Sequence, residues 1–283
     1  MKTLIEVLQS GTAYLAGRGV ESARLVMEQL MSHILDCPRL QLYIRFESVV
    51  PESHLVSLRD GIKRLGSGEP LQYVVGDTEF MGHRFKTDAR ALIPRPDTES
   101  LVIRVLECAP LWVMDNPVIA DIGTGSGCVA ISLALVKSEA RYRAVDAREA
   151  ALELARENAA MNGVAPLMEF RCGNLLEGFE PESLHAVVAN LPYIPTVECQ
   201  QLPRHIRDYE PLSALDGGAD GLDFIRQLAV QAFRVLRPGG WLFLEIGFDQ
   251  GALVVEWLEN HQFTDIRIHK DLGNRDRVVV ASR

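Results

Sequence analysis

The sequence predicts a doubly wound α/β protein with a small helical domain ahead of it. Three observations lead there. Helical periodicity fills residues 1–73, strand and helix signals alternate from Pro117 onward, and a glycine-rich turn joins the first of those strands to its helix. At 283 residues, 47% hydrophobic and 24% charged, the chain has the make-up of a globular protein, long enough for a large and a small domain. No apolar run reaches the ~20 residues that cross a bilayer. No apolar stretch follows Lys2, so no signal peptide is expected. Five scattered cysteines (Cys37, Cys108, Cys128, Cys172, Cys199) form no Cys-x-x-Cys pair and read as reduced thiols. The formal charge is −9, and residues 1–90 balance at 11 basic and 11 acidic side chains, so the whole excess lies in 91–283. That half lacks the cationic face that phosphate neutralisation requires, which disfavours a nucleic-acid substrate.

In the first segment Leu4, Val7, Leu8 and Leu15 recur at helical spacing, as do Val26, Met27, Leu30, Ile34 and Leu35. Pro38 and Pro51 punctuate it, Ser53 is the expected N-cap before Leu55, and Leu65-Gly66-Ser67-Gly68-Glu69-Pro70 ends it. No catalytic constellation falls here, and the expected task is partner recognition. Residues 74–92 read as a hairpin linker, with Tyr73-Val74-Val75 extended, a turn at Gly76-Asp77 and strand signal over 79–85. The main domain, 93–283, opens with Ile93-Pro94-Arg95-Pro96-Asp97-Thr98-Glu99. Its prolines fix an extended approach, and Asp97 or Thr98 is placed to cap the next helix. Strands are expected over 118–122, 142–146, 168–172, 186–189, 241–246, 266–268 and 278–280. Helices are expected over 128–136, 150–161, 224–236 and 253–260, with Arg237-Pro238-Gly239-Gly240 as a turn. Such alternation specifies a parallel sheet with right-handed crossovers.

The loop after the first of these strands is Asp121-Ile122-Gly123-Thr124-Gly125-Ser126-Gly127. Glycines there let a ligand approach the backbone and meet a helix N-terminus. The dinucleotide fingerprint would place its third glycine at Cys128, and no Gly-Lys-Ser/Thr of a P-loop is present. Asp146, about 20 residues on at a strand end, can hydrogen-bond both hydroxyls of a ribose. A nucleoside ligand therefore fits better than a pyrophosphate. The buried strand Ala186-Val187-Val188-Ala189 runs into Asn190-Leu191-Pro192-Tyr193, at the carboxyl end where open α/β sheets place ligands. Asn190 offers an acceptor and two donors in one plane, and the residue before a proline is held extended, which aims the Leu191 carbonyl beside it. Tyr193 adds an aromatic face. Together these residues can grip a planar amide or amine nitrogen. The histidines show no metal-ligand spacing, and no metal is expected.

The glycine loop with Asp121 before it and Asp146 after the second strand resembles the class I S-adenosyl-L-methionine (SAM) methyltransferases, which have a Rossmann-like sheet. The resemblance implies that Asp121, Gly123, Thr124, Gly125, Ser126 and Gly127 lie beside the methionine moiety and that Asp146 takes the ribose. It places Asn174 and Leu175 at the adenine, with Asn174 standing where that class often has Asp, and Asn190 near the cofactor. The tetrapeptide is similar to the Asn-Pro-Pro-Tyr motif of methyltransferases acting on planar nitrogens, with Leu191 for the first Pro. The stretches 93–99, 209–215 (Tyr-Glu-Pro-Leu-Ser-Ala-Leu) and 244–247 (Leu-Glu-Ile-Gly) resemble the peptide chain release factor N5-glutamine methyltransferases, the HemK/PrmC family, over nearly the whole chain.

That resemblance implies methylation of the glutamine in the Gly-Gly-Gln motif of class 1 release factors, with S-adenosyl-L-homocysteine as by-product. Asn190, Leu191, Pro192 and Tyr193 would hold the substrate, with Tyr193 packed on the amide plane or the substrate backbone, and Arg95, Asp97 and Glu99 would order the pocket. A ribosomal-protein glutamine is the alternative target within the family, and a nucleic-acid nitrogen a more distant one. No direct contact with nucleic acid or membrane is expected of this cytoplasmic monomer.

Overall fold

The computed structural model describes residues 2–283. It divides into two compact units: the chain to Asp77 together with Pro203–Tyr209, and Thr78–Leu202 together with Glu210–Arg283. The first unit is helical: α1 (Leu4–Gly17), α2 (Ala23–Ile34), α3 (Arg39–Ile44), α4 (Glu52–Gly66) and α5 (Leu71–Val75). Thr3 opens α1 with a capping box closed by Glu6, and Leu4, Val7, Leu8 and Leu15 face Met27, Leu30 and Met31 of α2 in one core. Two expectations change here. Helix α4 starts at Glu52 with Pro51 at the N-cap, so Ser53 lies inside its first turn. Tyr73-Val74-Val75 is helical rather than extended, because Pro70 pre-sets the entry and Gly76, at φ 84°, closes the turn in the left-handed region.

The two-stranded sheet β1 (Asp77–Phe80) and β2 (His83–Lys86) follows. Next come α6 (Pro96–Glu107), α7 (Ala109–Trp112), β3 (Val118–Ile122), α8 (Cys128–Val136), β4 (Arg141–Asp146), α9 (Glu149–Met161), β5 (Met168–Cys172) and β6 (Leu184–Ala189). After short helices α10 (Thr196–Cys199) and α11 (Arg204–Arg207), the chain continues through α12 (Asp223–Val235), β7 (Leu236–Glu245), α13 (Gly251–Asn260), β8 (Thr264–Lys270) and β9 (Asp276–Ser282). Seven strands form one sheet in the order β5-β4-β3-β6-β7-β9-β8, parallel except that β9 runs against both neighbours. From β3 the chain builds outward through β4 and β5, then returns to β6 on the other side of β3. That reversal opens a crevice at the carboxyl ends of β3 and β6.

Side-chain alternation sends Ile119, Tyr142, Val188 and Phe243 to one face, under α6 and α8. It sends Ala120, Val187, Leu242 and Val279 to the other, under α12 and α13. Every residue of β6 is buried, as the apolar run required. The expected turn at Arg237-Pro238-Gly239-Gly240 lies within β7, where the register to β6 shifts between Leu184 and Ala186 and Gly239 takes φ 77°. Among the described residues no helix is long and apolar enough to cross a membrane.

Candidate active site

The crevice holds a cavity of about 210 Å³ lined by residues of the second unit alone. The glycine loop forms one wall. Gly123, Gly125 and Gly127 all have positive φ, and the turn delivers the chain to α8. Asp121 is buried at the base, accepting from Thr124 Oγ1 at 2.7 Å and from the Ala130 amide at 3.2 Å. Burial pushes its carboxyl up to about 6, against those two hydrogen bonds and with the help of Asp146. Asp146 Oδ2 accepts from the Gly125 amide at 3.0 Å and Oδ1 from the Arg148 amide at 2.9 Å. The same carboxylate that faces the cavity thus shapes the loop opposite it. Asn174 and Leu175 line the far end. Leu175 sits at φ 50°, a conformation costly for a branched residue, and the Asn174 amide donates to Glu177 Oε1 at 2.8 Å.

Asn190, Leu191 and Pro192 form the opposing wall. Asn190 Nδ2 donates to Thr98 Oγ1, 3.0 Å away in the first turn of α6. Leu191 packs into the opening left by Gly123, where a Cβ would stand 3.0 Å from Leu191 Cδ2. The stretch 93–99 is tied down at three places. Arg95 donates to the fully buried Glu210 at 2.5 Å, and Glu210 also accepts from the Ile93 amide at 3.1 Å. Asp97 meets Arg277 of β9 at 3.3 Å, and Glu99 accepts from the Met81 amide at 2.7 Å. Neither Asp97 nor Thr98 is the N-cap of α6. Arg95 holds that place with Pro96 at the first helical position, which frees the Thr98 side chain for Asn190.

Two residues expected at the ligand do not line the cavity. Gly127 is the N-cap of α8 and faces Ile131 and Ala155, where a Cβ would come within 2.8 and 3.2 Å, so it serves helix packing. Tyr193 turns into the core, and its hydroxyl donates to Glu245 Oε1 at 3.3 Å. Burial raises that phenol well above its ordinary value, while the ring stays half-buried against the core.

Residues 6–76 match the PrmC N-terminal domain family and residues 100–202 the Methyltransferase small domain family. The release factor glutamine methyltransferase of Moorella thermoacetica is 41% identical over 282 residues, 99% of each chain. That of Geobacter sulfurreducens is 39% identical over 98% of this chain and 95% of its own. The chain belongs to the release factor glutamine methyltransferase family. In backbone shape it is similar to the hMettl16 catalytic domain, at a TM-score of 0.57 and 15% identity over 70% of this chain and 74% of that one, a likeness of fold.

For a release factor glutamine methyltransferase the site has two parts with no motif of their own, and a third inside the stretch 244–247. Phe224 of α12 closes the cavity, and nothing around it in sequence marks it. Gln250 pins the motif backbone, donating to Tyr193 O at 2.9 Å while its Oε1 accepts from the Gly247 amide at 2.8 Å. Glu245 stands fully buried behind Tyr193 at the end of β7. Burial pushes its carboxyl up to about 7, against the Thr98 hydroxyl, the Arg277 charge and the Tyr193 hydroxyl.

Proposed function

We propose that this chain transfers a methyl group from SAM to the side-chain amide nitrogen, N5, of the glutamine in the Gly-Gly-Gln motif of class 1 peptide chain release factors. The observation that carries the reading is the cavity itself. The Asn190-Leu191-Pro192 wall faces the loop of Gly123 to Ser126 with Asp121 and Asp146, in a chain of this family.

The residues present fit the cofactor. Positive-φ glycines leave the cavity wall without side chains, Asp146 lines the cavity beside them, and Leu175 and Phe224 offer apolar faces. Asp146 would take the ribose hydroxyls, Asn174 the adenine edge, and the loop after Asp121 the methionine end. When bound, SAM supplies an electrophilic methyl group. The rest falls to this chain. An amide nitrogen is a poor nucleophile because its lone pair is delocalised into the carbonyl. With Nδ2 engaged by Thr98, Asn190 presents Oδ1 to one N–H of the substrate, and the Leu191 carbonyl accepts the other. Two fixed acceptors hold the nitrogen in one orientation and favour the positive charge that grows on it during alkylation. The alkylated amide is a strong acid and loses its proton to water, so no general base is assigned. We propose a monomer acting in the cytoplasm, where five free thiols are at home.

The test is methyl transfer from labelled SAM to a purified release factor, beside a Gly-Gly-Gln to Gly-Gly-Ala variant. Label on the wild-type factor alone is expected. Equal label on both would move the target off that glutamine, and label on neither, with SAM binding intact, would turn attention to a ribosomal protein or a nucleic acid.

A further inference from the structure

Helices favour Ser, Thr, Asp or Asn at the N-cap, where a short side chain reaches the first free amides. Helix α13 has Gln250 in that place, and its side chain makes no capping bond. The amide points elsewhere. Its Oε1 accepts from the Gly247 amide at 2.8 Å, and its Nε2 donates to the Tyr193 carbonyl at 2.9 Å. Two glycines make the space it occupies. A Cβ at Gly247 would stand 3.0 Å from Gln250 Cδ, and one at Gly221 would stand 2.7 Å from Nε2 and strike the Tyr193 oxygen. Gln250 is buried, so both ends of its amide are committed within the protein.

We propose that Gln250 is a positioning residue that aims the Leu191 carbonyl at the substrate amide. This rests on the reading that the glutamine nitrogen is held between Asn190 and that carbonyl. Among the described residues the Leu191 carbonyl receives no hydrogen bond, so it is free to accept from a ligand. Its direction is set from further along the chain. Peptide planes are rigid, and the proline ring fixes its own φ. Between the Leu191 and Tyr193 carbonyls only the ψ of Pro192 and the φ and ψ of Tyr193 remain soft. Fixing the second carbonyl therefore goes far towards fixing the first.

The peptide that joins Tyr193 to Ile194 is held at its two ends by different means. The Ile194 amide donates to the Leu215 carbonyl at 3.0 Å, a main-chain bond that any residue but proline would make. The Tyr193 carbonyl, among the described residues, has only the Gln250 side chain as its donor. Gly217 packs on the motif from the loop before α12. Its amide donates to the Ile194 carbonyl at 2.8 Å, and a Cβ there would stand 2.6 Å from the Pro192 oxygen. Without Gln250 Nε2 the Tyr193 carbonyl is an enclosed acceptor with no partner, and its peptide turns to find one. That rotation carries Pro192 with it and swings the Leu191 carbonyl off the substrate nitrogen.

The experiment compares wild type with Gln250→Met, which keeps the length of the side chain and loses both hydrogen bonds. Each is assayed for kcat and KM with labelled SAM and the wild-type release factor, well below its melting midpoint. Calorimetric SAM affinity is measured alongside. A protein substrate is held over far more surface than one amide, so the defect should fall on the oriented step. A drop on the order of 10- to 100-fold in kcat is expected, with KM and SAM affinity unchanged. A residue that merely stabilised the fold would lower the melting temperature and leave the kcat of the folded enzyme intact. Wild-type kcat in a folded Gln250→Met, or a loss carried by KM or by SAM affinity, overturns the proposal. Should Gln250→Met fail to fold, Gln250→Asn decides by the same criteria, since it keeps the amide but falls a methylene short of the Tyr193 carbonyl. A wild-type enzyme that leaves the Gly-Gly-Gln glutamine unlabelled would instead overturn the functional reading.

Discussion

At the scale of single residues, the acceptor on Asn190 and the carboxylate of Glu210 carry opposite kinds of consequence. Replacing Asn190 by Ala removes one of two acceptors aimed at the developing charge, and methyl transfer should fall by about 10²- to 10³-fold. SAM affinity, measured by calorimetry, should change little, and a parallel loss of binding would show that Asn190 serves the cofactor instead. Glu210→Ala touches no reacting atom. It leaves Arg95 and the buried Ile93 amide without their acceptor, and chemical denaturation should report a loss of about 1–3 kcal/mol. The exposed Arg59–Glu52 pair, removed as a control, should cost under about 1 kcal/mol. Asn190 could be read from sequence because a polar residue closing an apolar strand before a proline has few structural reasons to be there. The role of Thr98 could not. It lies in the stretch 93–99 but looks like a helix cap, and its meeting with Asn190 exists only after α6 and β6 pack. The orientation of Tyr193 was hidden for the same reason, since an aromatic beside a motif does not reveal which way its ring turns.

Among the elements, the turn from β3 into α8 is the most constrained. Gly127 sits at φ 81° and presses on Ile131 and Ala155, whereas Gly163, after α9, has φ 74° with open space around it. Both Ala variants pay the left-handed penalty of about 1–2 kcal/mol, but only Gly127→Ala must also shift its neighbours. Thermal melts should therefore rank Gly127→Ala well below Gly163→Ala, with weaker SAM binding in the first alone; equal losses would mean that α8 yields easily. The central strands were legible because burial on both faces forces continuous apolar runs, as in β6. The errors fell where local signals conflict. In α5, two adjacent valines suggest a strand, but five residues between Pro70 and Gly76 close into a helical turn. In β7, Pro238 and two glycines suggest a turn, and the sheet absorbs them as an irregularity in register.

For the whole molecule, the same burial that shapes the site sets how stability depends on pH. Asp121 and Glu245 are raised by desolvation, from 3.8 to about 6 and from 4.5 to about 7. Each binds its proton more tightly folded than unfolded, so its contribution is fully present below its ordinary value and is lost as pH rises through the folded one. Asp88 and Glu157, held low chiefly by Arg90, act the other way, stabilising above their ordinary values and losing that as the pH falls. The two sets together favour a maximum in mildly acid solution, near about pH 5. Asp121 and Glu245 act on the alkaline side by similar amounts, each displacement corresponding to about 3 kcal/mol once the group is ionised. Glu245→Gln removes that charge from the core. The variant should melt above wild type at about pH 8, and the advantage should vanish near about pH 5, where both side chains are neutral. Calorimetric melts at the two pH values decide the matter, since an equal difference at both would trace the effect to packing and not to ionisation.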